Sequence, residues 1–318
     1  MIPIYMNGLV WKGKKSEAMI YAILQGRIGN QLFIYSMAKM VAEETGDSDI
    51  VIDDSEVLKL NWVDSLPEYN LQGVRFVHDN KLLREKLLPQ YMTMKAFHFR
   101  MRNKNFWERY NAEKNGQNRF NKKGIIEIRD GYMPYKLYPR ENYIIDGFFQ
   151  SEKYFCKIKD LLIEELTLPF SMLKSYPGLD AIRNRNSVCI SIKVEHNVGS
   201  SIYDVCTNGY WKKAIDFIIE HVDNPLFFIC SDNVDYVKEH LIDCNKYDCI
   251  CQDKKQPVEV SLAVMALCKH YIIGNTTFGW WAQYLSRNQQ KIVVAPSRWM
   301  KVDMPIDIYQ DNWTLIEV

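Results

Sequence analysis

The N-terminal part of the chain alternates between strand-sized and helix-sized apolar segments, and this alternation restricts the fold more than any other feature. Residues 19–24 are typical of a short buried strand, and Gly26 and Gly29 follow it in a turn. The next apolar residues have helical spacing: Leu32, Phe33, Met37, Met40 and Val41. Gly46 is a plausible end for this helix, and residues 50–52 give a second strand. This order predicts a βαβ unit in a parallel sheet.

The C-terminal half repeats the alternation regularly. Strand-sized runs occupy residues 188–192, 226–230, 247–251, 271–274 and 292–295. Between them, one helix is predicted over residues 209–221 with Asn208 as its N-cap, and another over residues 257–269 with Pro257 in its first turn. The residues expected inside are Trp211, Ile215, Ile218, Ile219, Leu262, Met265 and Leu267. This half predicts a doubly wound α/β domain.

A length of 318 residues suits two domains. No Gly/Ser-rich or Pro-rich linker divides the chain, so the boundary follows from the pattern of elements. We predict an α/β fold with two lobes, residues 1–165 and residues 166–318, joined near residues 155–185. A ligand cleft is expected between the lobes.

Residues 81–123 form a basic segment within the first lobe. It has twelve Lys or Arg against three Asp or Glu, a local net charge of +9. Its interleaved aromatic residues are Tyr91, Phe97, Phe99, Phe106, Trp107, Tyr110 and Phe120. Such a segment can bind single-stranded nucleic acid, rest on anionic lipid headgroups, or form a solvated helical face above a small core. Charge alone leaves the three interpretations open.

Composition excludes several classes of protein. With 47% hydrophobic and 25% charged residues the chain is neither disordered nor fibrous, and a net charge of +1 gives no general argument for a nucleic-acid partner. The longest apolar runs, residues 188–192 and 225–230, are too short to span a bilayer. Residues 1–19 lack the order of a signal peptide, so a cytoplasmic location is expected.

The eight cysteines are too few for a disulfide scaffold at this size, which also favours a reducing cytoplasm. Cys244, Cys249 and Cys251 cluster in sequence, but their spacing matches no zinc signature. No metal site is predicted.

The loop G-R-I-G-N-Q between the first strand and helix is a candidate ligand contact. Gly26 and Gly29 would let the backbone approach a ligand, and the helix start, with Asn30 and Gln31, offers N–H groups to an anion or a sugar hydroxyl. The alternative is a tight turn without a ligand, because the loop lacks the third glycine of the dinucleotide fingerprint and the lysine of a P-loop.

Two further segments follow buried strands. Asn275, Thr276, Thr277 and Phe278 begin a helix after residues 271–274, which suits a diphosphate, although helix capping alone would also explain them. Ser231 and Asp232 end the strand in F-F-I-C-S-D-N, where an Asp binds a ribose or base edge or caps the next helix.

Six motifs follow one another in the chain: G-R-I-G-N-Q-L-F-I-Y-S from residue 26, D-G-F-F-Q-S-E-K-Y-F from 146, G-Y-W-K-K-A-I from 209, F-F-I-C-S-D-N from 227, L-A-V-M-A-L-C-K-H-Y-I-I-G-N-T-T-F-G-W-W from 262, and V-V-A-P-S-R-W from 293. In this order they resemble the α-1,2-fucosyltransferases of glycosyltransferase family 11. The resemblance runs from about residue 20 to the C-terminus. It implies a GT-B-like fold of two Rossmann-like lobes, GDP-fucose as donor and no required metal. The implied reaction is transfer to a galactoside hydroxyl with inversion at the anomeric carbon.

One motif of the family is replaced. His-x-Arg-Arg-Gly-Asp, expected after the first strand of the second lobe, reads S-I-K-V-E-H at residues 191–196. The resemblance implies that the motif's arginines hold the donor diphosphate; Lys193 keeps one positive charge without the guanidinium fork. Glu195 and His196 are the candidates for the base that takes the proton of the acceptor hydroxyl.

The resulting hypothesis is a cytoplasmic fucosyltransferase that builds a surface polysaccharide. Its donor would contact Lys193, Ser231, Asp232 and residues 275–278. Its acceptor, a glycan that could be lipid-linked, would enter near residues 26–31. The basic segment could hold it at the inner face of the membrane. The alternatives are a transferase with another nucleotide-sugar donor and a silent relative that binds a nucleotide sugar or glycan without transfer; a nucleic-acid partner is not expected.

Overall fold

A computed structural model describes residues 19–46 and 49–318. The strands of the first lobe are β1 (Met19–Ile23), β2 (Asp49–Asp53), β3 (Val74–Val77), β4 (Ile125–Ile128) and β5 (Asn142–Gly147). They form a parallel sheet in the order β3-β2-β1-β5-β4, which confirms the predicted βαβ unit. Residues 1–18, where the sequence predicts no signal peptide, lie outside the described residues.

The second lobe contains a six-stranded sheet. Its strands are β6 (Ser187–Ile192), β7 (Leu226–Ser231), β8 (Cys249–Cys251), β9 (His270–Ile273), β10 (Val293–Pro296) and β11 (Thr314–Ile316). They are parallel, in the order β11-β10-β9-β6-β7-β8. The chain therefore builds one side of the sheet from β6 to β8 and then returns beside β6 with β9, which is the doubly wound arrangement predicted.

The helices cover both faces of the sheets. They are α1 (Ile28–Thr45), α2 (Ser55–Lys59), α3 (Lys81–Lys86), α4 (Leu88–Met101), α5 (Phe106–Asn121), α6 (Lys159–Glu165), α7 (Phe170–Leu173), α8 (Leu179–Asn184), α9 (Asn208–His221), α10 (Val234–Tyr236), α11 (Val258–Ala266) and α12 (Thr277–Tyr284). Short 3-10 helices occur at Leu66–Glu68, Glu152–Tyr154 and Cys156–Ile158, and a π-helical turn at Val237–Leu241. None of the described helices is both long and apolar enough to cross a membrane.

Helix α1 is buried along most of its length because it packs against β1 and β2 on one side and against α12 on the other. Gly46 ends it in the left-handed conformation, with φ of 73°, and its N–H donates to the carbonyl of Ala42, as expected of a helix stop. The core of the first lobe is therefore continuous with that of the second.

The basic segment forms α3, α4 and α5 on the opposite face of the first sheet. Tyr21 and Val51 point to this face, and Leu83, Met94 and Phe120 pack against them. Most of the charged side chains point outward. This arrangement agrees with one of the three interpretations left open, a solvated helical face above a small core, although Phe99 is 77% exposed and Trp107 43% exposed.

Several details of the predicted helices were wrong. Helix α9 includes Asn208, and Thr207 occupies the N-cap position, while the Asn208 side chain donates to the carbonyl of His240. Ile219 is 46% exposed because only part of the apolar stripe of α9 meets the sheet. Helix α11 starts after Pro257, which takes the N-cap position. The strand predicted over residues 247–251 is shorter, because only Cys249–Cys251 pairs with β7.

Candidate active site

A cavity of about 650 Å³ lies between the two lobes. Residues at the carboxyl ends of four strands of the second sheet line it, among them Lys193, Ser231, Gln252 and Asn275. Residues 27–29 at the start of α1 line it from the first lobe. The strand order reverses between β6 and β9, which is where doubly wound sheets bind ligands. The volume is that of a site for a small organic ligand or cofactor.

Lys193 and Asp232 form an ion pair at this reversal point. The Lys193 ammonium lies 2.5 Å from Asp232 Oδ2, and the N–H groups of Val194 and Glu195 donate to the same carboxylate at 2.8 and 3.3 Å. Burial alone would raise the pKa of Asp232, but these donors outweigh it and lower the pKa below its ordinary value. Asp232 is thus an ionised anchor that holds Lys193 and the loop after β6 at the cavity. The capping role that the sequence left open belongs to Asn233, which accepts from the N–H of Tyr236.

Residues 275–278 lie at the cavity as predicted, but their side chains differ in role. The Asn275 amide donates to the carbonyls of Tyr203 and Trp299, both at 2.9 Å, and accepts from Asn197 at 2.9 Å. Thr276 caps α12 by accepting from the N–H of Gly279. Asn275 therefore joins the loops around the cavity, and its amide has little capacity left for a ligand.

The N-terminus of α12 faces the cavity with unused donors. Capping by Thr276 satisfies Gly279, and the N–H groups of Thr277 and Phe278 have no hydrogen-bond partner in the part of the chain that the structure describes. Thr277 and Phe278 both line the cavity. Two free N–H groups and the positive end of the helix dipole are suited to an anion.

In the glycine loop, Gly29 lies at the contact between the two lobes. A β-carbon at Gly29 would lie 2.8 Å from Thr277 Cβ, and the Gly29 carbonyl accepts from the Trp281 indole at 2.8 Å. Gly29 lines the cavity, but its missing side chain gives room to α12. Gly26 adopts φ of 73°, which is the turn that the sequence offered as the alternative.

Two other residues of this loop lie outside the cavity lining. Gln31 is fully buried; its amide donates to the carbonyls of Gly26 and Val63 and accepts from the N–H of Ser65. Asn30 accepts from the Gln150 amide at 3.0 Å. The structure therefore gives Gln31 a supporting role: it holds the loop that places residues 61–65 beside the cavity.

The structure separates the two candidate bases. His196 and Glu195 are both exposed, but only His196 lines the cavity, whereas Glu195 donates its backbone N–H to Asp232. Of the pair, only His196 is placed to contact a ligand there.

Sequence reasoning did not single out several residues that line the cavity: Arg27, Trp62, Gln150, Tyr203, Gln252 and Trp299. Gln252 directly follows β8, just as Asp232 directly follows β7. The expectation that polar residues after parallel strands contact ligands would therefore have identified Gln252 as well. Arg27 stands within the glycine motif, and its charge beside a helix start was the available signal. Trp62 and Trp299 come from irregular loops, where no periodic pattern marks them.

A second cavity, of about 190 Å³, opens at the carboxyl end of the first sheet. Beside it lies a polar cluster that we define as His98, Glu127, Arg129 and Asp146. Among the described residues, His98, Glu127 and Asp146 are the group whose ligand atoms lie close enough to share a metal ion. However, His98 Nε2 is already 2.6 Å from Glu127 Oε1, and Arg129 lies 3.3 Å from Asp146. A cation would have to displace these pairs, so the cluster is a poor metal site as it stands.

The chain matches a known protein family over most of its length. Residues 19–317 match the family model described as glycosyl transferase family 11. The chain belongs to glycosyl transferase family 11. This agrees with the family that the motif order suggested, and the protein is a glycosyltransferase.

Two curated relatives of this family 11 transferase span nearly its whole length. It is 26% identical to an α-1,2-colitosyltransferase from Escherichia coli, over 94% of this chain and 99% of the relative. It is 20% identical to the O-antigen biosynthesis glycosyltransferase WbnK from Escherichia coli, over 92% and 99%.

The fold is that of solved fucosyltransferases. NodZ from Bradyrhizobium superposes with a TM-score of 0.55 at 13% identity, covering 91% of this chain and 99% of NodZ. A crystal of the NodZ α-1,6-fucosyltransferase soaked with GDP-fucose gives a TM-score of 0.52 at 13% identity, over 84% and 92%. The two-lobed, GT-B-like fold of this family 11 transferase is therefore confirmed.

Proposed function

We propose that this transferase moves fucose from GDP-fucose to a galactoside hydroxyl, in α-1,2 linkage and with inversion, during synthesis of a surface polysaccharide. The observation that carries the proposal is the convergence of Lys193 and the N-terminus of α12 on one cavity at the reversal point of the second sheet. The names of the two Escherichia coli relatives support the linkage and the polysaccharide role, and the NodZ crystal soaked with GDP-fucose supports the donor.

In this proposal the diphosphate lies between the Lys193 ammonium and the N–H groups of Thr277 and Phe278. These groups stabilise the negative charge that grows on the diphosphate as its bond to the anomeric carbon breaks. Ser231 and Gln252, at the ends of β7 and β8, also line the cavity, and we propose that they contact the nucleoside. We expect transfer to need no metal, because Lys193 and the helix end supply the positive charge; activity should then persist in excess EDTA.

The acceptor hydroxyl loses its proton as its oxygen attacks the anomeric carbon, and we propose His196 as the group that receives it. Glu195→Gln is the matched control, because it changes the neighbouring side chain outside the cavity lining and leaves the backbone N–H that Asp232 accepts. His196→Gln should lower kcat by about 10²-fold or more with little change in GDP affinity. An equal loss in both variants would contradict this assignment.

The direct test is titration of GDP, GDP-fucose, UDP and dTDP into the purified protein, followed by a GDP-release assay with a panel of galactosides. We expect guanine nucleotides to bind most tightly and GDP release to depend on the acceptor. Binding of another nucleotide alone would overturn the donor assignment, and binding without turnover on any acceptor would favour the silent relative.

Colitose is the second candidate for the transferred sugar. The α-1,2-colitosyltransferase matches this chain over 99% of its own length, and apolar side chains of Trp62, Val63 and Phe278 line the cavity. Such a lining suits fucose and colitose alike, because both are deoxy sugars with fewer hydroxyls to satisfy when buried, so the relative's name is what favours colitose. Competition between nucleotide-linked colitose and GDP-fucose in the transfer assay decides between the two sugars.

The connection between α4 and α5 supports peripheral membrane contact at the inner face of the membrane. Phe99 and Trp107 are exposed there beside Arg100, Arg102 and Lys104. Replacing Phe99, Arg100, Arg102 and Trp107 by Ser should abolish sedimentation with phosphatidylglycerol vesicles and leave turnover on a soluble acceptor unchanged. The control for the loss of two positive charges is the double variant Lys254→Ser, Lys255→Ser, because both lysines are exposed on the second lobe. Unchanged sedimentation of the first variant would contradict this contact.

A further inference from the structure

The second cavity lies where the first sheet should bind a ligand. Its lining includes Gln25 after β1, Asp53 at the end of β2, Asn80 after β3 and Asp146 in β5. β1 and β5 are the neighbours between which the strand order of this sheet reverses, and the Gln25 amide donates to Asp146 Oδ1 across that boundary at 2.5 Å. The first lobe thus has a crevice at its own reversal point, equivalent in position to the one that holds the main cavity.

The polar cluster beside this crevice is costly to bury. Glu127 is fully buried and Asp146 is 3% exposed, yet both are charged partners of Arg129. Glu127 Oε2 has no hydrogen-bond partner among the described residues. Buried ion networks are often no more stabilising than apolar side chains of similar volume, so a cluster of this kind beside a cavity indicates a binding role.

The chemistry of the lining favours a neutral ligand rich in hydroxyl groups. The carboxylates of Asp53 and Asp146 already accept from protein donors, but each oxygen has a second lone pair with which it can accept from a ligand hydroxyl. Arg129 and Lys95 can donate to such a ligand. The mixed charges favour neither a free anion nor a cation. The Tyr91 ring, over which the Lys95 ammonium lies 5.2 Å from the centroid, adds apolar surface to the lining that a sugar can contact. The volume is below that of common pockets for drug-sized ligands, roughly 300–1,000 Å³, which suits one monosaccharide unit and not a nucleotide sugar.

Two chain segments connect this crevice to the main cavity. Gln25 lines the second cavity and Arg27 the main one, while Asp146 lines the second and Gln150 the main one. The two cavities are thus separated by two residues along one segment and by four along the other.

We propose that the second cavity binds one sugar unit of the acceptor, adjacent to the unit whose hydroxyl is attacked, and so selects acceptors longer than a single sugar. This rests on the proposed transfer to a galactoside. The residues involved position the acceptor and take no part in bond making.

The experiment compares methyl β-galactoside, with one sugar unit, and lactose, with two, as acceptors. Tyr91→Ala and Asp146→Asn should each raise KM for lactose about tenfold, the loss expected for one hydrogen bond or stacking contact. KM for methyl β-galactoside and the affinity for GDP should stay unchanged. Lys114→Met, exposed on α5 and outside the lining, is the matched control.

Binding of lactose is measured separately by saturation-transfer NMR, so that the result does not depend on turnover. Binding that the two variants weaken, with no transfer by the native protein, would refute the proposed function and keep the subsite. Equal losses on both acceptors would show a structural role, and unchanged lactose binding and KM in both variants would overturn the subsite. Thermal melting confirms that each variant is folded, and Tyr91→Ala, which leaves every ion pair of the cluster intact, keeps the test decisive if Asp146→Asn unfolds.

Discussion

Lys193 is the residue on which the proposed donor site depends most. It is a point charge held by Asp232, where the resemblance implies an arginine fork. Lys193→Met should weaken GDP binding by about 10–100-fold, because a hydrogen bond to a charged group is lost. Lys193→Arg keeps the charge and is the control. Titration calorimetry at two salt concentrations measures the GDP affinity of both variants. Equal GDP affinity in the native protein and in Lys193→Met would contradict the placement of Lys193 at the diphosphate.

A buried ion pair between Lys39 and Glu165 connects α1 to α6. Lys39 lies 2.8 Å from Glu165, which also accepts from the Tyr35 hydroxyl and from the N–H of Gln72. Glu165→Ala leaves a buried ammonium unpaired and should lower the free energy of unfolding by about 3–5 kcal/mol. The double variant Lys39→Met, Glu165→Gln, which keeps an acceptor for Tyr35, should lie within about 2 kcal/mol of the native protein. Urea unfolding measures both, and a double variant as unstable as Glu165→Ala would contradict the argument.

Glu113 gives the first lobe a pH dependence. Burial raises its pKa to about 8, against the opposing effect of the Arg129 N–H that it accepts. The folded protein therefore keeps a proton that the unfolded chain releases at lower pH, so this group makes folding less favourable as the pH rises to about 8. Relative to Glu113→Gln, the free energy of unfolding of the native protein should fall by about 1.4 kcal/mol for each pH unit within this window. Parallel curves for the two proteins in urea unfolding from pH 5 to 8 would contradict the shift.

At the scale of elements, the contact between the starts of α1 and α12 fixes the geometry of the cleft. Gly29 makes this contact possible, since a β-carbon there would overlap Thr277. Gly29→Ala should lower the free energy of unfolding by about 1–3 kcal/mol through overpacking and should also weaken GDP binding, because Thr277 and Phe278 shift. Gly209→Ala, near the start of α9, has room for a methyl group and is the matched control. Thermal melting and titration with GDP compare the stability and the GDP affinity of the two variants. If both quantities are the same in Gly29→Ala and Gly209→Ala, the contact between α1 and α12 adjusts to a methyl group without cost.

At the scale of the whole molecule, the two lobes share one core. Phe33 of α1 packs against Trp280 and Trp281 of α12, with ring centroids 4.6 and 5.0 Å apart, and Phe155 stacks on Trp281. Such a shared core predicts one cooperative unfolding transition. Tryptophan fluorescence and far-UV circular dichroism should give coincident urea curves, and GDP should shift both equally. Two separate transitions would show that residues 1–165 and 166–318 fold independently.

The sequence by itself predicted β1, α1 and β2 and, in the second lobe, β6 to β10 with α9, α11 and α12, because helix and strand periodicities and the Gly46 stop are local properties of the chain. It also placed Lys193, Ser231, Asp232 and residues 275–278 together, because polar residues that follow parallel strands collect at one edge of a sheet. Motif order then identified the family.

Only the tertiary structure decided what each polar side chain does. Gly29 meets α12 through Trp281, 252 residues later in the chain. The side chain of Asn275 is hydrogen-bonded to loops distant in sequence, and the polar cluster draws its members from α4, β4, the residue after β4, and β5. Burial and hydrogen-bond partners at these positions depend on packing between remote segments, and no local pattern of residues encodes that packing.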